Sequence, residues 1–225
     1  LSLISITFFS IPFLFFQKKI HKKNIFFVIF FLMIFTLNYF YGTYKNNKTD
    51  YKFDETISVK IVSPSFSLKD YSNQTEFSQL KRLIKISDPK KDKKTLFVWP
   101  EGIFYESNLQ KIKQYESLFI DKFSENHLII LGINNFVNKK YFNSLVLLNS
   151  KLDILATYNK INLVPFGEFL PFEEILTKFG LKKITYGYNS FSAGDIRDTI
   201  NLGEKFNKKL ILPLICYEII YPGKI

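Results

Sequence analysis

Two long apolar runs open the chain, and a short basic stretch separates them. The first covers residues 1–16 and the second covers residues 25–42, while residues 17–24 between them contain four lysines. A helix needs about 20 apolar residues to cross the hydrocarbon of a membrane, with about 17 as the lower limit. The pattern therefore predicts a transmembrane helix at 25–42 and the C-terminal part of another one at 1–16.

The basic stretch predicts how these helices are oriented. Lysine-rich short loops stay on the cytoplasmic side, so the helix that follows leads outward, through a polar linker at 43–55. Residues 56–225 then lie on the periplasmic side of a bacterial inner membrane, and the protein is multi-pass. A cleaved signal peptide is the alternative, but two long runs around a basic turn fit it poorly.

Beyond the linker, strand-like and helix-like stretches alternate. Apolar runs of strand length bounded by polar residues, and runs with helical spacing, follow one another to the end of the chain. Such alternation is typical of a sheet covered on both faces, so we expect an α/β layered fold. Strands are predicted at 57–62, 95–99, 127–132, 142–148, 154–158 and 209–215, and helices at 74–86, 110–125 and 173–179.

Three of the predicted strands end close to a chemically useful residue. Glu101 follows the strand at 95–99, Lys160 follows the strand at 154–158, and Cys216 follows the strand at 209–215. A carboxylate takes protons, an ammonium stabilises an oxyanion, and a thiolate is a strong nucleophile. Together the three groups suit acyl transfer through a thioester. Each also has an ordinary structural reading, as a helix start, a surface lysine or a buried small residue.

Composition limits the classes of partner that the protein is expected to bind. The chain carries 26 Phe and a net charge of +11, but only two of its 31 basic residues are arginines. Scattered lysines without a nucleic-acid motif favour an anionic membrane surface over nucleic acid. The single cysteine forms no intrachain disulfide. Neither His21 nor His127 has a partner at metal-ligand spacing, so we expect no metal and no cofactor.

Three short blocks carry a resemblance to a known family. The residues at 99–101 (Trp-Pro-Glu), 158–168 (Tyr-Asn-Lys to Val-Pro-Phe-Gly-Glu) and 215–218 (Ile-Cys-Tyr-Glu) resemble the three catalytic blocks of the nitrilase, or carbon–nitrogen hydrolase, superfamily. Their version behind transmembrane helices is similar to the apolipoprotein N-acyltransferases. The resemblance implies a nitrilase-like α-β-β-α sandwich, incomplete in this chain, at 56–225.

The resemblance also implies roles for individual residues. Glu101 would be the general base, Lys160 the cation that stabilises the oxyanion, and Cys216 the nucleophile. Family members need supporting or substrate-binding residues as well. The one that matches Glu168 is expected to orient Lys160 or Glu101. In this chain these supporting residues match Glu168, Tyr217 and Glu218.

The implied reaction transfers a fatty acyl chain in two steps. A phospholipid donates the chain to the cysteine, and the α-amino group of the diacylglyceryl-cysteine of an apolipoprotein accepts it. Membrane lipids are therefore both surroundings and substrate. The apolar segment at 166–172 is expected to contact lipid, to gate the acyl chain or to pack in the core. The alternatives are an amidase that uses the same triad with water, and an inactive membrane-anchored fragment.

Two departures from the family pattern bear on these expectations. The first strand of the domain is followed by Ser63, where family members often carry glutamine, so a contact of that glutamine is in doubt. The chain begins with leucine and its only methionine is Met33. We therefore expect a piece of a longer protein, truncated at both ends, and expect this piece to be inactive when isolated.

Overall fold

The structure is a computed structural model that describes residues 6, 9–10, 22–48, 56–64, 75–104, 107–173, 178 and 190–220. Its contacts divide the chain into two compact units, Leu1–Asp54 and Glu55–Ile225. The predicted apolar segment at 1–16 and the predicted helix at 173–179 lie almost entirely outside the described residues.

Among the described residues of the first unit, Lys22–Lys48 form a long helix, α1. In the described part of the chain, its residues Ile25–Lys48 are long and apolar enough to cross a membrane. Polar side chains inside it are satisfied locally, since Thr36 donates to the Leu32 carbonyl at 2.8 Å. The helix extends past the predicted end at 42 because a single glycine does not break it, and Lys45 and Lys48 suit its C-terminal dipole.

The second unit is built on a five-stranded sheet. Its strands lie in chain order across the sheet, with β1–β2 and β2–β3 parallel and β3–β4 and β4–β5 antiparallel. The bounds are Ser58–Ile61 for β1, Thr95–Val98 for β2, His127–Val137 for β3, Lys140–Asn149 for β4 and Ile154–Asn159 for β5. The ends of β2 and β5 and the first half of β4 therefore meet at one edge of the sheet.

Both faces of the sheet are covered. Helix α2 at Glu76–Ser87, a 3-10 helix at Leu109–Tyr115 and helix α3 at Glu116–Ile120 cover one face. A two-stranded ribbon of β6 (Ile200–Asn201) and β7 (Leu210–Ile211) packs against the other face. This layering of helices, sheet and ribbon confirms the expected nitrilase-like α/β fold, in which apolar strands are buried on both sides.

The strands β3 and β4 are longer than predicted. They form a hairpin whose two-residue turn, Asn138 and Lys139, has φ values of 51° and 63°. Two consecutive left-handed residues suit the right-handed twist of a hairpin. Polar residues along this hairpin, such as Asn134 and Asn143, hide the strand pattern in the sequence because they point to the edge where the candidate site lies.

Two predicted elements are wrong in detail. The helix expected at 110–125 is a 3-10 helix followed by the short α3, because Leu109 and Ile112 pack on the sheet at three-residue spacing. The buried strand expected at 209–215 is only Leu210–Ile211, and Leu210 is 62% exposed. Pro213 has no N–H to donate to a ladder, so strand pairing stops before it.

Candidate functional site

Glu101 lies in the turn after β2, at the edge of the sheet. The preceding Trp99 is buried and its indole N–H donates to the Ser87 hydroxyl at 3.0 Å, which fixes the start of the turn. Glycine at position 132 of β3 leaves room for the glutamate, because a Cβ there would lie 3.0 Å from Glu101 Cα. The turn thus delivers one carboxylate to a position above β3.

Lys160 directly follows β5, and its side chain is only 1% exposed. Its N–H donates to the Asn143 carbonyl at 2.8 Å, and its carbonyl accepts from the Gly194 N–H at 2.9 Å. Only glycine fits at 194, since a Cβ there would lie 2.2 Å from the Asn159 carbonyl oxygen. The ammonium lies 2.9 Å from Oε1 and 2.8 Å from Oε2 of Glu168.

Glu168 is held by the turn that contains it. Its carboxylate accepts from the Val164 N–H at 2.9 Å, while its own N–H donates to the Val164 carbonyl at 2.8 Å. Its carbonyl accepts from the Phe191 N–H at 2.8 Å. A carboxylate fixed in this way pairs the buried ammonium of Lys160 and supplies the counter-charge that burial of a lysine requires.

Asn143 joins the two carboxylates. Its amide nitrogen donates to Glu101 Oε1 at 2.7 Å and to Glu168 Oε1 at 2.8 Å. Glu101, Glu168 and Lys160 thus form one hydrogen-bonded cluster, here called the edge cluster, together with Asn143. This asparagine is not among the site residues predicted from the sequence. The available signal was a polar side chain within an otherwise apolar strand, which calls for a buried partner.

Cys216 begins a 3-10 helix, Cys216–Ile220, and is exposed. Its φ of 51° lies in the left-handed region, which a residue with a Cβ adopts at a cost of about 1–2 kcal/mol. Tyr217 is 54% exposed, so it does not pack against the sheet. A strained, exposed turn presents the thiol to solvent or to a bound molecule.

Glu218 is fully buried and anchors this turn. Both of its carboxylate oxygens accept hydrogen bonds, from donors in three separate parts of the chain. The donors are Tyr158 Oη at 2.7 Å, Arg197 at 2.8 Å, and the N–H groups of Ile161, Asn162 and Ile215 at 3.0, 3.1 and 2.9 Å. The carboxylate therefore ties the cysteine turn to the segment that directly follows Lys160.

The environment of Glu218 keeps it ionised. Burial alone would raise the pKa of this carboxyl, but the backbone N–H groups and the Tyr158 hydroxyl outweigh burial and lower the pKa below its usual value. Burial and the bond to Glu218 raise the pKa of Tyr158, which stays neutral and donates. Arg197 was not singled out from the sequence, although it is one of only two arginines. Arginine suits such a site because its planar fork serves two acceptors.

An open cavity lies beside the edge cluster. It measures about 440 Å³, and most of the side chains around it are apolar; its lining residues are Ile161, Asn162, Leu163, Phe169, Phe191 and Ala193. The neighbouring apolar segment is divided, since Leu170 is buried whereas Phe172 is 79% exposed and has a φ of 50°.

The structure joins three of the six predicted site residues in one hydrogen-bonded cluster, and two of them, Lys160 and Glu168, are in direct contact. Glu101, Lys160 and Glu168 meet in the edge cluster, and Glu168 contacts Lys160 itself while reaching Glu101 through Asn143. Within the described residues, the turn of Cys216 and Tyr217 connects to this cluster through Glu218. The edge cluster therefore holds two carboxylates and a buried ammonium, and hydrogen bonds to Glu218 tie the turn of the exposed Cys216 to the segment that follows Lys160.

Curated proteins similar to this chain have one name in common. Three of them are called apolipoprotein N-acyltransferase. They come from Rhizobium leguminosarum bv. trifolii (33% identical, covering 59% of this chain and 25% of the relative), Agrobacterium fabrum (27%, 85% and 38%) and Brucella suis biovar 1 (28%, 75% and 33%). The chain therefore spans only about a quarter to two-fifths of the length of these relatives.

Several solved structures are similar to parts of this chain. They include Nit3 of Saccharomyces cerevisiae, 18% identical with a TM-score of 0.35 over 64% of this chain and 51% of that chain. The NitN amidase from Neterenkonia sp. AN1 is 13% identical with a TM-score of 0.37 over 74% and 57%. Residues 76–225 match the carbon-nitrogen hydrolase model, which spans both the edge cluster and Cys216. The chain belongs to the carbon–nitrogen hydrolase family.

Proposed function

We propose that the protein transfers a fatty acyl chain from a phospholipid to the α-amino group of the diacylglyceryl-cysteine of apolipoproteins, through a thioester on Cys216. One observation carries the proposal: a buried ammonium, Lys160, is paired with Glu168 and linked through Asn143 to a second carboxylate, Glu101. The names of the relatives support the substrates, and α1 supports a location at the membrane.

The first half-reaction loads the enzyme. The Cys216 thiol attacks the carbonyl carbon of the phospholipid ester while Glu101 accepts the thiol proton. An ammonium has three N–H donors, and the two oxygens of Glu168 take two of those of Lys160. The third N–H is the one that would stabilise the developing oxyanion. The carbon–oxygen bond then breaks, and the leaving lysophospholipid oxygen takes the proton from Glu101.

The second half-reaction uses the same groups in reverse. The α-amine of the acceptor attacks the thioester carbonyl, Glu101 takes a proton from the attacking nitrogen, and Lys160 again stabilises the oxyanion. The carbon–sulfur bond breaks, and the thiolate recovers a proton from Glu101. An amide and a free thiol remain, so the cycle needs no metal, oxidant or cofactor. Both substrates carry fatty acyl chains, which suits the exposed Phe172 and the cavity of about 440 Å³ near Phe169.

The proposed topology follows the basic segment before α1. The basic segment 17–24, whose last three residues begin α1, lies on the cytoplasmic side. Helix α1 crosses the inner membrane, and residues 56–225 form the periplasmic catalytic unit. The lysines of the basic segment support this orientation. The aromatic residues near the C-terminal part of α1, including Tyr39, Tyr41 and Tyr44, suit a membrane–water interface.

The experiment that tests the proposal traps the acyl-enzyme. Membranes containing the protein at its full length receive a phospholipid with a clickable acyl chain, and the protein is then examined for label that hydroxylamine removes. Wild type is compared with Cys216→Ala, Glu101→Gln and Lys160→Ala. The exposed Lys111→Ala serves as the matched control for the lysine variant.

The expected result is label on wild type and on Lys111→Ala, with none on Cys216→Ala. Glu101→Gln and Lys160→Ala should lose at least about 100-fold in labelling rate, since each removes a group that acts in the transition state. A folded wild type that takes no label would overturn the proposal. If such a protein hydrolysed a soluble amide instead, the function would be that of an amidase with the same triad.

A further inference from the structure

We propose that Asn143 is a positioning residue that holds Glu101 and Glu168 side by side and assigns them separate tasks. The inference rests on the proposed function for the meaning of the two tasks, because Glu168 holds the cation and Glu101 moves the proton. Its geometry stands independently of the substrate.

The backbone of Asn143 is fixed from two sides. It pairs with Asn134 across the β3–β4 ladder, and its carbonyl accepts from the Lys160 N–H at 2.8 Å. The residue is 7% exposed. An asparagine in this position has little freedom to turn its amide elsewhere, so its two N–H bonds are directed by the fold itself.

The side-chain amide nitrogen of Asn143 donates to both carboxylates. A side-chain amide has two N–H groups on one nitrogen, and this nitrogen lies 2.7 Å from Glu101 Oε1 and 2.8 Å from Glu168 Oε1. Only the nitrogen end satisfies both contacts, because an amide oxygen has no proton to donate to an ionised carboxylate. Hydrogen bonds donated to carboxylates favour their charged form.

The charge balance explains why such a residue is needed. The titratable groups that face the amide are Glu101 from the turn after β2, Glu168 from the turn after β5, and Lys160 from the end of β5. Among the described residues of this cluster, two carboxylates share one ammonium. Like charges held together disfavour ionisation, and the neutral amide between them relieves this without adding charge or accepting a proton.

The division of labour follows from the contacts. Both oxygens of Glu168 are within 2.9 Å of the Lys160 ammonium, whereas Glu101 reaches the ammonium only through Asn143 and Glu168. Asn143 therefore holds Glu101 in place without neutralising it. A base must be ionised and must not be consumed by an ion pair, and the amide meets both conditions.

The test measures proton uptake by the cluster through the thiol. The rate at which iodoacetamide alkylates Cys216, the single cysteine of the 225 residues, is recorded against pH for the membrane-embedded protein. The variants are Asn143→Ala, which removes both hydrogen bonds, and Asn143→Asp, which adds a third carboxylate. The matched control is Asn201→Asp, because Asn201 is exposed and Asp keeps the oxygen that accepts from the Gly203 N–H. Acyl-enzyme trapping is run in parallel.

We expect the acid limb of the alkylation profile to move to higher pH in both variants, by about one unit or more in Asn143→Asp. Asn201→Asp should follow wild type. A role in folding alone would lower the rate at every pH without moving the limb. An unmoved limb in Asn143→Ala and Asn143→Asp would overturn the inference, even if trapping succeeds. If the limb moves in a protein that never takes the phospholipid label, the role of Asn143 is supported and the proposed acyltransferase function is refuted.

Discussion

The guanidinium of Arg197 lies 2.8 Å from Glu218 Oε1, and its Nε donates at 3.1 Å to the Tyr158 hydroxyl, which donates to the same carboxylate oxygen. Three side chains thus close a ring of hydrogen bonds beneath the turn that carries Cys216. The arrangement is buried, since the arginine side chain is 8% exposed and the glutamate is fully enclosed. Buried charge of this kind is stable only when it is fully paired.

Replacing Arg197 should therefore loosen the cysteine turn. Arg197→Met leaves Glu218 buried without its cation, and we expect a loss of about 3–5 kcal/mol in the free energy of unfolding. Arg197→Lys keeps the charge but serves only one of the two acceptors, and should cost about 1–3 kcal/mol. Chemical denaturation of the detergent-solubilised protein measures both.

The chain offers its own control for the lysine variant. Arg82 is the other arginine, and its guanidinium donates to the Pro64 carbonyl at 3.2 Å on the helix-covered side. Arg82→Lys should cost less than Arg197→Lys. Equal losses in the two variants would contradict a special role for the ring around Glu218.

The ionisation of Glu218 predicts a loss of stability in acid. Its pKa is lowered from the usual 4.5 in the folded protein, so its contribution is complete above that value and is lost as the pH falls below it. In Glu218→Gln, thermal midpoints recorded from about pH 5 to about pH 3 should vary less than in wild type. Glu204→Gln, in an exposed pair with Lys208, should keep the wild-type dependence.

A second titration is separate from this one. Burial lowers the pKa of His127 from 6.5, so the unfolded chain takes up a proton there before the folded protein does. Stability should therefore begin to fall below about pH 6.5 in wild type and in Glu218→Gln alike. If the two proteins differed only in this upper window, the assignment of the acid transition to Glu218 would be wrong.

Glycine at position 132 makes room for the proposed base. In Gly132→Ala the new Cβ would approach Glu101 Cα to 3.0 Å, so the turn after β2 must move. We expect the rate of acyl-enzyme formation to fall about 10- to 100-fold, because a shift of about 1 Å in a reacting group costs that much. Gly42→Ala, where nothing lies within 4 Å of the added atom, should label like wild type.

The backbone at Cys216 predicts an unusual effect on stability. Cys216→Gly relieves the left-handed strain at a φ of 51° and should raise the free energy of unfolding by about 1 kcal/mol relative to Cys216→Ala. Asn207→Gly, at a φ of 55°, should gain less because asparagine tolerates this region. A glycine variant no more stable than the alanine variant would show that the turn carries no strain.

The sequence predicted those features that depend on a single element of the fold. The strand at 95–98 and the apolar half of β3 were predictable because buried strands read as unbroken apolar runs. Glu101, Lys160 and Cys216 were identifiable because each follows an apolar run within a short recognisable block. Their roles stay predictions, whereas the α/β fold is confirmed.

The sequence was silent where two distant segments decide the outcome. Asn143 bonds to a glutamate 42 residues away, and Arg197 bonds to one 21 residues away. No local spacing encodes such pairs. The predicted end of the strand at 209–215 was wrong for a related reason. Its apolar residues suggested pairing with a partner strand, and Pro213 prevents that pairing.

The hydrogen bonds around the site also differ in the length of the chain between the two residues that each bond joins. Lys160 is fastened to Asn143 inside the β3–β4–β5 meander, which forms from neighbouring hairpins. Glu218 reaches Ile161 across 57 residues, a longer loop that costs more entropy to close. Contacts between near neighbours form faster than distant ones, so pulsed hydrogen exchange during refolding should protect the Lys160 amide before the Ile161 amide. During synthesis on the ribosome, Lys160 is therefore held in place before the turn that carries Cys216 has formed its contacts.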